Sequence, residues 1–145
     1  MSAVLEQAIR FEERSYRYYE RALQVATREE SFKVLKEIMG GELEHRMKLQ
    51  EALRSGELQR LDGNGATVPE GETDGICEEW PPLDPQAGIR EVLETALSRE
   101  RCAAAFYRRM RDRTRLEVLK STFDALFSGE REHIARILDR LENGA

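Results

Sequence analysis

The chain has 145 residues, of which 40% are hydrophobic and 35% are charged, and its formal net charge at pH 7 is -5. This length suits one domain with a sizeable core, and the charges of both signs are scattered along the chain, which argues against nucleic acid or an anionic membrane as a partner. No apolar run reaches the length of a membrane span and the first residues lack a signal-peptide pattern, so we expect a cytoplasmic protein. Two cysteines, Cys77 and Cys102, are too few for a disulfide framework and are expected as inert, reduced thiols.

The first third of the chain predicts a helical hairpin. Residues from about 2 to 27, and again from about 29 to 54, place apolar side chains at three-and-four spacing, which is typical of helices with one buried face. Only a short connection near Arg28 separates the two segments. We therefore expect them to pack as antiparallel neighbours.

The next segment, residues 55–88, interrupts the helical pattern. It contains all four prolines and six of the ten glycines. Such a long connection inside a compact domain is usually functional, disordered or a crossover. We interpret it as a crossover that carries the chain from one end of a bundle to the other, with Ile76, Trp80 and Leu83 as anchors.

A second hairpin follows, with helices predicted at about 89–112 and 114–142, and it repeats the first at a shift of 88 positions. Two duplicated hairpins joined by a long crossover predict an all-α four-helix bundle, and residues 1–145 then form a single domain. The matched pairs include Glu12 with Glu100, Tyr19 with Tyr107, and Gly41-Glu42-Leu43-Glu44-His45 with Gly129-Glu130-Arg131-Glu132-His133.

Six polar residues occupy positions in the apolar stripes where leucine or alanine would be expected. A glutamate and a histidine three residues apart lie on one helix face, so each Glu-x-x-His motif can hold one metal ion. Four buried carboxylates are costly without a cation, and two divalent ions balance their charge. Counted from the turns, the carboxylates of both hairpins lie at nearly the same level, near the middle of the bundle. The candidate metal ligands are Glu12, Glu42, His45, Glu100, Glu130 and His133.

These motifs resemble the ferritin-like di-iron carboxylate superfamily, and most closely rubrerythrin-like proteins. The resemblance implies a ferritin-like bundle in which these six residues bind two iron ions, with manganese or zinc as substitutes, and in which Glu42 and Glu130 bridge the pair. It also implies an oxidoreductase that reacts the iron pair with peroxide or O2. We further expect a homodimer.

Three departures from the family limit this expectation. Ala103 stands where many rubrerythrins carry an additional glutamate, so movement of a ligand during peroxide reduction is not expected. The chain lacks a rubredoxin-like domain with its Cys-x-x-Cys pairs, so electrons would come from an external donor protein. Leu43 stands where bacterioferritins carry a haem-binding methionine, so no haem is expected.

Several alternatives remain open from the sequence. Tyr19 and Tyr107 are either core aromatics or donors of hydrogen bonds to the ligand carboxylates. The function is either that of an oxidoreductase or that of a bacterioferritin-like ferroxidase that handles iron. A third reading is a bundle that metal ions stabilise and that serves as an interaction module.

Overall fold

A computed structural model describes residues 3–54, 80–115 and 117–143 of the chain. This part is all-α, without a strand among the described residues, and its helices pack as a four-helix bundle, which confirms the predicted fold class. The predicted bounds differ from the observed ones by at most three residues. The helices are α1 (Ala3–Val25), α2 (Glu29–Arg54), α3 (Ile89–Arg113) and α4 (Glu117–Glu142).

Helix α3 illustrates how the local sequence sets these bounds. Gly88 before it and Thr114 after it have extended backbones, and the Thr114 amide donates to the Met110 carbonyl to close the last turn. An acidic residue, Glu91, lies in the first turn, and two arginines lie in the last turn. Both placements favour the helix because they oppose its dipole. Among the described residues, no helix is both long enough and apolar enough to cross a membrane.

The turns of the two hairpins lie at opposite ends of the bundle. The Thr27 amide, between α1 and α2, donates to the Pro85 carbonyl over 2.8 Å, and Ser31 Oγ donates to the Ala87 carbonyl over 2.7 Å. Helix α3 therefore begins beside the start of α2, and these two helices run in the same direction. Because α2 has 26 residues, its far end lies roughly 39 Å away. The connection between α2 and α3 is thus a crossover along the bundle.

Two of the three predicted anchors of the crossover lie within the described residues. Leu83 is 8% exposed and packs in the core, and the guanidinium of Arg99 lies over the Trp80 ring at 5.4 Å. The hydroxyl of Tyr18 donates to the Pro81 carbonyl over 2.8 Å. The third anchor, Ile76, lies outside the described residues, as does Cys77. Within its described part, the crossover is anchored to the bundle.

Two apolar clusters fill the bundle, one on each side of the predicted site. The cluster near the α3–α4 turn includes Phe11, Phe106 and Phe123, and the cluster near the α1–α2 turn includes Leu35 and Leu93. Burying each of these large side chains stabilises the fold by roughly 1.5–3 kcal/mol. The six predicted ligands lie in the chain between the members of one cluster and the members of the other on every helix, so they form a polar layer at mid-bundle.

The internal repeat also relates two stacked pairs of side chains. Phe11 stacks on Phe106 with ring centroids 4.4 Å apart. At the equivalent positions, the guanidinium of Arg99 lies 4.0 Å from the centroid of the Tyr18 ring and donates to Ser15 Oγ over 3.2 Å. Arg99 is only 9% exposed. A flat cation can replace a ring in such a stack because the aromatic face attracts it.

Candidate metal centre

The six predicted ligands converge in the layer between the two apolar clusters. Five of them are at most 2% exposed, whereas the side chain of His133 is 18% exposed. Each comes from the middle of its helix, where the Glu-x-x-His spacing turns both side chains to one face. The five buried members are Glu12, Glu42, His45, Glu100 and Glu130.

His45 and Glu130 lie at the centre of the arrangement. Nδ1 of His45 is 2.6 Å from Oε1 of Glu130 and 3.7 Å from Oε1 of Glu12, and Nδ1 of His133 is 4.0 Å from Oε2 of Glu130. There are two sets of residues whose ligand atoms all lie within 4.8 Å of one another inside the set, and both sets contain His45 and Glu130. One set adds His133, and the other adds Glu12 and Glu42. Each set offers carboxylate oxygens and imidazole nitrogens that could hold a metal ion.

Glu100 stands slightly apart, because it belongs to neither of these two sets. It nevertheless interacts electrostatically with the others, since burial and the charge of Glu130 raise the pKa of Glu100 well above its usual value. Its carboxylate also influences the pKa of Glu42.

The carboxylates of this layer are short of hydrogen-bond partners. Although Nδ1 of His45 and Oε1 of Glu130 are close, their geometry does not suit a hydrogen bond. A buried polar atom without a partner costs about 1–3 kcal/mol, and more when it is charged. A group of such atoms around one point is a candidate site for a cation. Those without a hydrogen bond in the described structure are Oε2 of Glu12, Glu42 and Glu100, both oxygens of Glu130, and Nδ1 of His45.

Burial and crowding shift the pKa values in this layer. Burial, reinforced by neighbouring carboxylates, raises the pKa of Glu42 and Glu130 well above the usual value. Burial also acts to raise the pKa of Glu12, but the nearby His45, Glu42 and Tyr107 outweigh it and the pKa is lowered. Burial and the nearby His45 lower the pKa of His133 to about 4. Without a cation, the layer therefore favours neutral imidazole at His133 and protonated carboxyl groups at Glu42, Glu100 and Glu130, but not at Glu12.

The two predicted partner tyrosines differ. The hydroxyl of Tyr107 donates a hydrogen bond to Oε1 of Glu12. The hydroxyl of Tyr19 is buried without a hydrogen-bond partner in the described structure, although the charge of Glu100 helps to raise its pKa. By the repeat, Tyr19 faces Glu100 as Tyr107 faces Glu12. The hydrogen bond is formed in only one of the two halves.

A cleft of about 580 Å³ opens onto one side of the site. Its lining includes Glu100 and His133, and the apolar side chains of Ile38, Leu93 and Ile137. This cleft accounts for the greater exposure of the His133 side chain, since His133 lines the cleft and the buried His45 does not. The cleft therefore borders the polar layer at Glu100 and His133.

Sequence reasoning did not assign a role to Gly41 and Gly129, which border the two imidazoles. The nearest atoms to a Cβ built at Gly41 belong to His133, and those at Gly129 belong to His45. A signal was present, because both halves carry a glycine in mid-helix directly before the Glu-x-x-His motif. Arg99 was also missed, since a charged residue beside a ligand is ordinarily assigned to the surface.

No protein-family model, curated protein or solved structure matches this chain. Any function proposed for the chain therefore rests on its fold and on the geometry of the polar layer.

Proposed function

We propose that this protein is a rubrerythrin-like di-iron oxidoreductase whose metal pair is held by the six residues of the polar layer. The observation that carries the proposal is the convergence of three buried carboxylates, those of Glu12, Glu42 and Glu130, on two imidazoles, with many of their oxygens lacking hydrogen-bond partners and with the buried Glu100 beside them. Two divalent ions would balance four ionised glutamates. Carboxylate and imidazole ligands suit iron, and they also suit manganese or zinc as substitutes.

Each residue has a defined part in this proposal. Glu130 and His45 would be central to holding the metal, because both belong to each set of close ligand atoms. Tyr107 fixes the orientation of Glu12 through its hydrogen bond, and the apolar clusters on either side limit the entry of water. When bound, an iron pair supplies two electrons for the reduction of peroxide or O2. An external electron donor protein and a homodimer belong to the same proposal.

A bacterioferritin-like role in iron handling is the second candidate, and Ala103 favours it. Ala103 lies one turn after Glu100, is 2% exposed and packs in the apolar cluster with Tyr107. No carboxylate stands there to follow an ion as its charge changes. A fixed set of ligands suits repeated oxidation of incoming ferrous ions better than it suits a peroxide reduction in which a ligand moves with the iron.

Metal analysis tests the proposed site. Protein grown with added iron and purified without oxygen should contain about two transition-metal ions per chain. Glu130→Ala should remove most of this metal, because it deletes a carboxylate that belongs to both sets of ligand atoms. Glu132→Ala is a matched control, since Glu132 is exposed on the same helix and should leave the metal content unchanged. A metal content near zero in the unaltered protein would contradict the proposal.

Reaction of the ferrous protein separates the candidate functions. An oxidoreductase should be oxidised by H2O2 or O2 with its iron retained, and an added electron donor should then reduce it again. A ferroxidase should take up excess ferrous iron in air and keep it as a mineral. Metal that supports the fold but reacts with neither oxidant would favour the interaction module.

A further inference from the structure

The two glycines that precede the Glu-x-x-His motifs each face the imidazole of the other half. A Cβ built at Gly41 would lie 2.7 Å from Cε1 and 3.0 Å from Nε2 of His133. A Cβ built at Gly129 would lie 2.8 Å from Nε2 of His45. The nearest heavy atoms belong to the histidine in both cases, and real Cβ atoms essentially never come this close.

The helix itself does not require glycine at either position. Both residues lie inside regular helices, α2 and α4, where alanine would favour the helix. The neighbouring Gly40 shows the contrast, because a Cβ there would meet nothing within 4 Å and its repeat mate is a serine. Both halves therefore have glycine at the position that an imidazole approaches. One residue earlier, where nothing lies close to Gly40, the two halves differ.

We infer that Gly41 and Gly129 are positioning residues. Because neither has a side chain, each leaves the space that the histidine of the other half needs to reach the polar layer. The imidazoles of His45 and His133 stack with their centroids 4.9 Å apart and their planes 15° apart. A methyl group at Gly41 would displace the imidazole of His133, and one at Gly129 would displace that of His45. The ligands of each half are thus held in place by the backbone of the other half.

A double-mutant cycle in the metal-free protein tests the contact itself. Gly40→Ala should raise the melting temperature by about 3 °C, through helix propensity alone. Gly41→Ala should lower it by at least about 3 °C, because the added methyl group meets His133. In a His133→Ala background, Gly41→Ala should instead raise it as Gly40→Ala does. Gly129→Ala with His45→Ala forms the second cycle.

Binding of Co²⁺, a spectroscopic probe for oxygen and nitrogen ligands, tests the consequence for the site. Gly41→Ala and Gly129→Ala should each weaken Co²⁺ binding by at least about tenfold while Gly40→Ala leaves it unchanged. This second experiment rests on the proposed metal site. The stability cycle does not, since it uses metal-free protein.

The outcomes separate the two ideas. If the unaltered protein binds no metal but the cycle shows rescue by His133→Ala, the proposed function fails and the positioning role stands. If Gly41→Ala does not fold and Gly41→Ala with His133→Ala does, the role is also supported. Equal melting temperatures and equal Co²⁺ affinity for Gly40→Ala and Gly41→Ala would overturn the inference, as would a loss of stability that His133→Ala fails to relieve.

Discussion

Tyr19 and Tyr107 occupy equivalent positions in the two halves, and both are fully buried. Their hydroxyls nevertheless meet different surroundings. Tyr107 donates to Glu12, which helps to keep the pKa of Glu12 low, whereas the Tyr19 hydroxyl has no partner in the described structure. A buried hydroxyl without a hydrogen bond contributes little to stability, while removal of a donor from a buried carboxylate leaves that carboxylate unpaired.

We therefore expect the two Tyr→Phe substitutions to differ in the metal-free protein. Tyr107→Phe should lower the free energy of unfolding by about 1–3 kcal/mol, because Oε1 of Glu12 loses its donor. Tyr19→Phe should raise it slightly, by less than about 0.5 kcal/mol, because it removes a buried hydroxyl that has no hydrogen-bond partner in the described structure. Urea denaturation of both variants at one pH measures the difference. Equal losses would show that the Tyr107 hydrogen bond does not contribute to stability.

At the scale of the element, the end of the crossover is the part of the fold that sets the direction of α3. Two side chains near the start of α2 donate hydrogen bonds to backbone carbonyls at the end of the crossover. Ser31 Oγ donates to Ala87 and is buried, whereas Thr27 Oγ1 donates to Pro85 and is exposed. The Pro85 carbonyl also accepts from the Thr27 amide, so it keeps a partner without the hydroxyl.

Ser31→Ala should therefore destabilise the protein more than Thr27→Ala. We expect a loss of about 1–2 kcal/mol for Ser31→Ala, because the Ala87 carbonyl loses a partner inside the protein. Thr27→Ala should cost less than about 0.5 kcal/mol because its bond is exposed and duplicated. Chemical denaturation of the two variants provides the measurement. A larger loss for Thr27→Ala would mean that the exposed contact holds the crossover.

Much of this element structure could be predicted, since helical periodicity and the 88-residue repeat give the helices and their buried faces. The repeat also predicted which polar residues enter the core. It could not predict that Arg99 would be buried, because its guanidinium replaces a ring in a stack whose partner, Tyr18, is distant in sequence. The close approach of Gly41 to His133 was equally hidden. Spacing gives the face of a side chain but not the distance between helices.

At the scale of the whole molecule, a layer of carboxylates divides the apolar interior. In the metal-free protein, the raised pKa values of Glu42, Glu100 and Glu130 mean that the folded state holds protons that the unfolded chain has already released. Stability from these groups is fully present below the ordinary glutamate pKa and is lost as the pH rises through the folded values. His133 opposes this trend, because its pKa falls from 6.5 to about 4 on folding.

The metal-free protein should accordingly melt at a higher temperature near pH 5.5 than near pH 7.5, since the three carboxylates with raised pKa values outnumber the one imidazole with a lowered pKa, that of His133. Bound metal would replace the protons on the carboxylates, so its stabilising effect should be largest at the higher pH.

Glu130→Gln should flatten the pH dependence of the metal-free protein, because an amide does not ionise. Glu51→Gln, on the exposed surface of α2, is the control and should leave it unchanged. Calorimetry across this pH range decides the matter. A metal-free melting temperature that rises from pH 5.5 to 7.5 would show that the four carboxylates do not share one buried layer in solution.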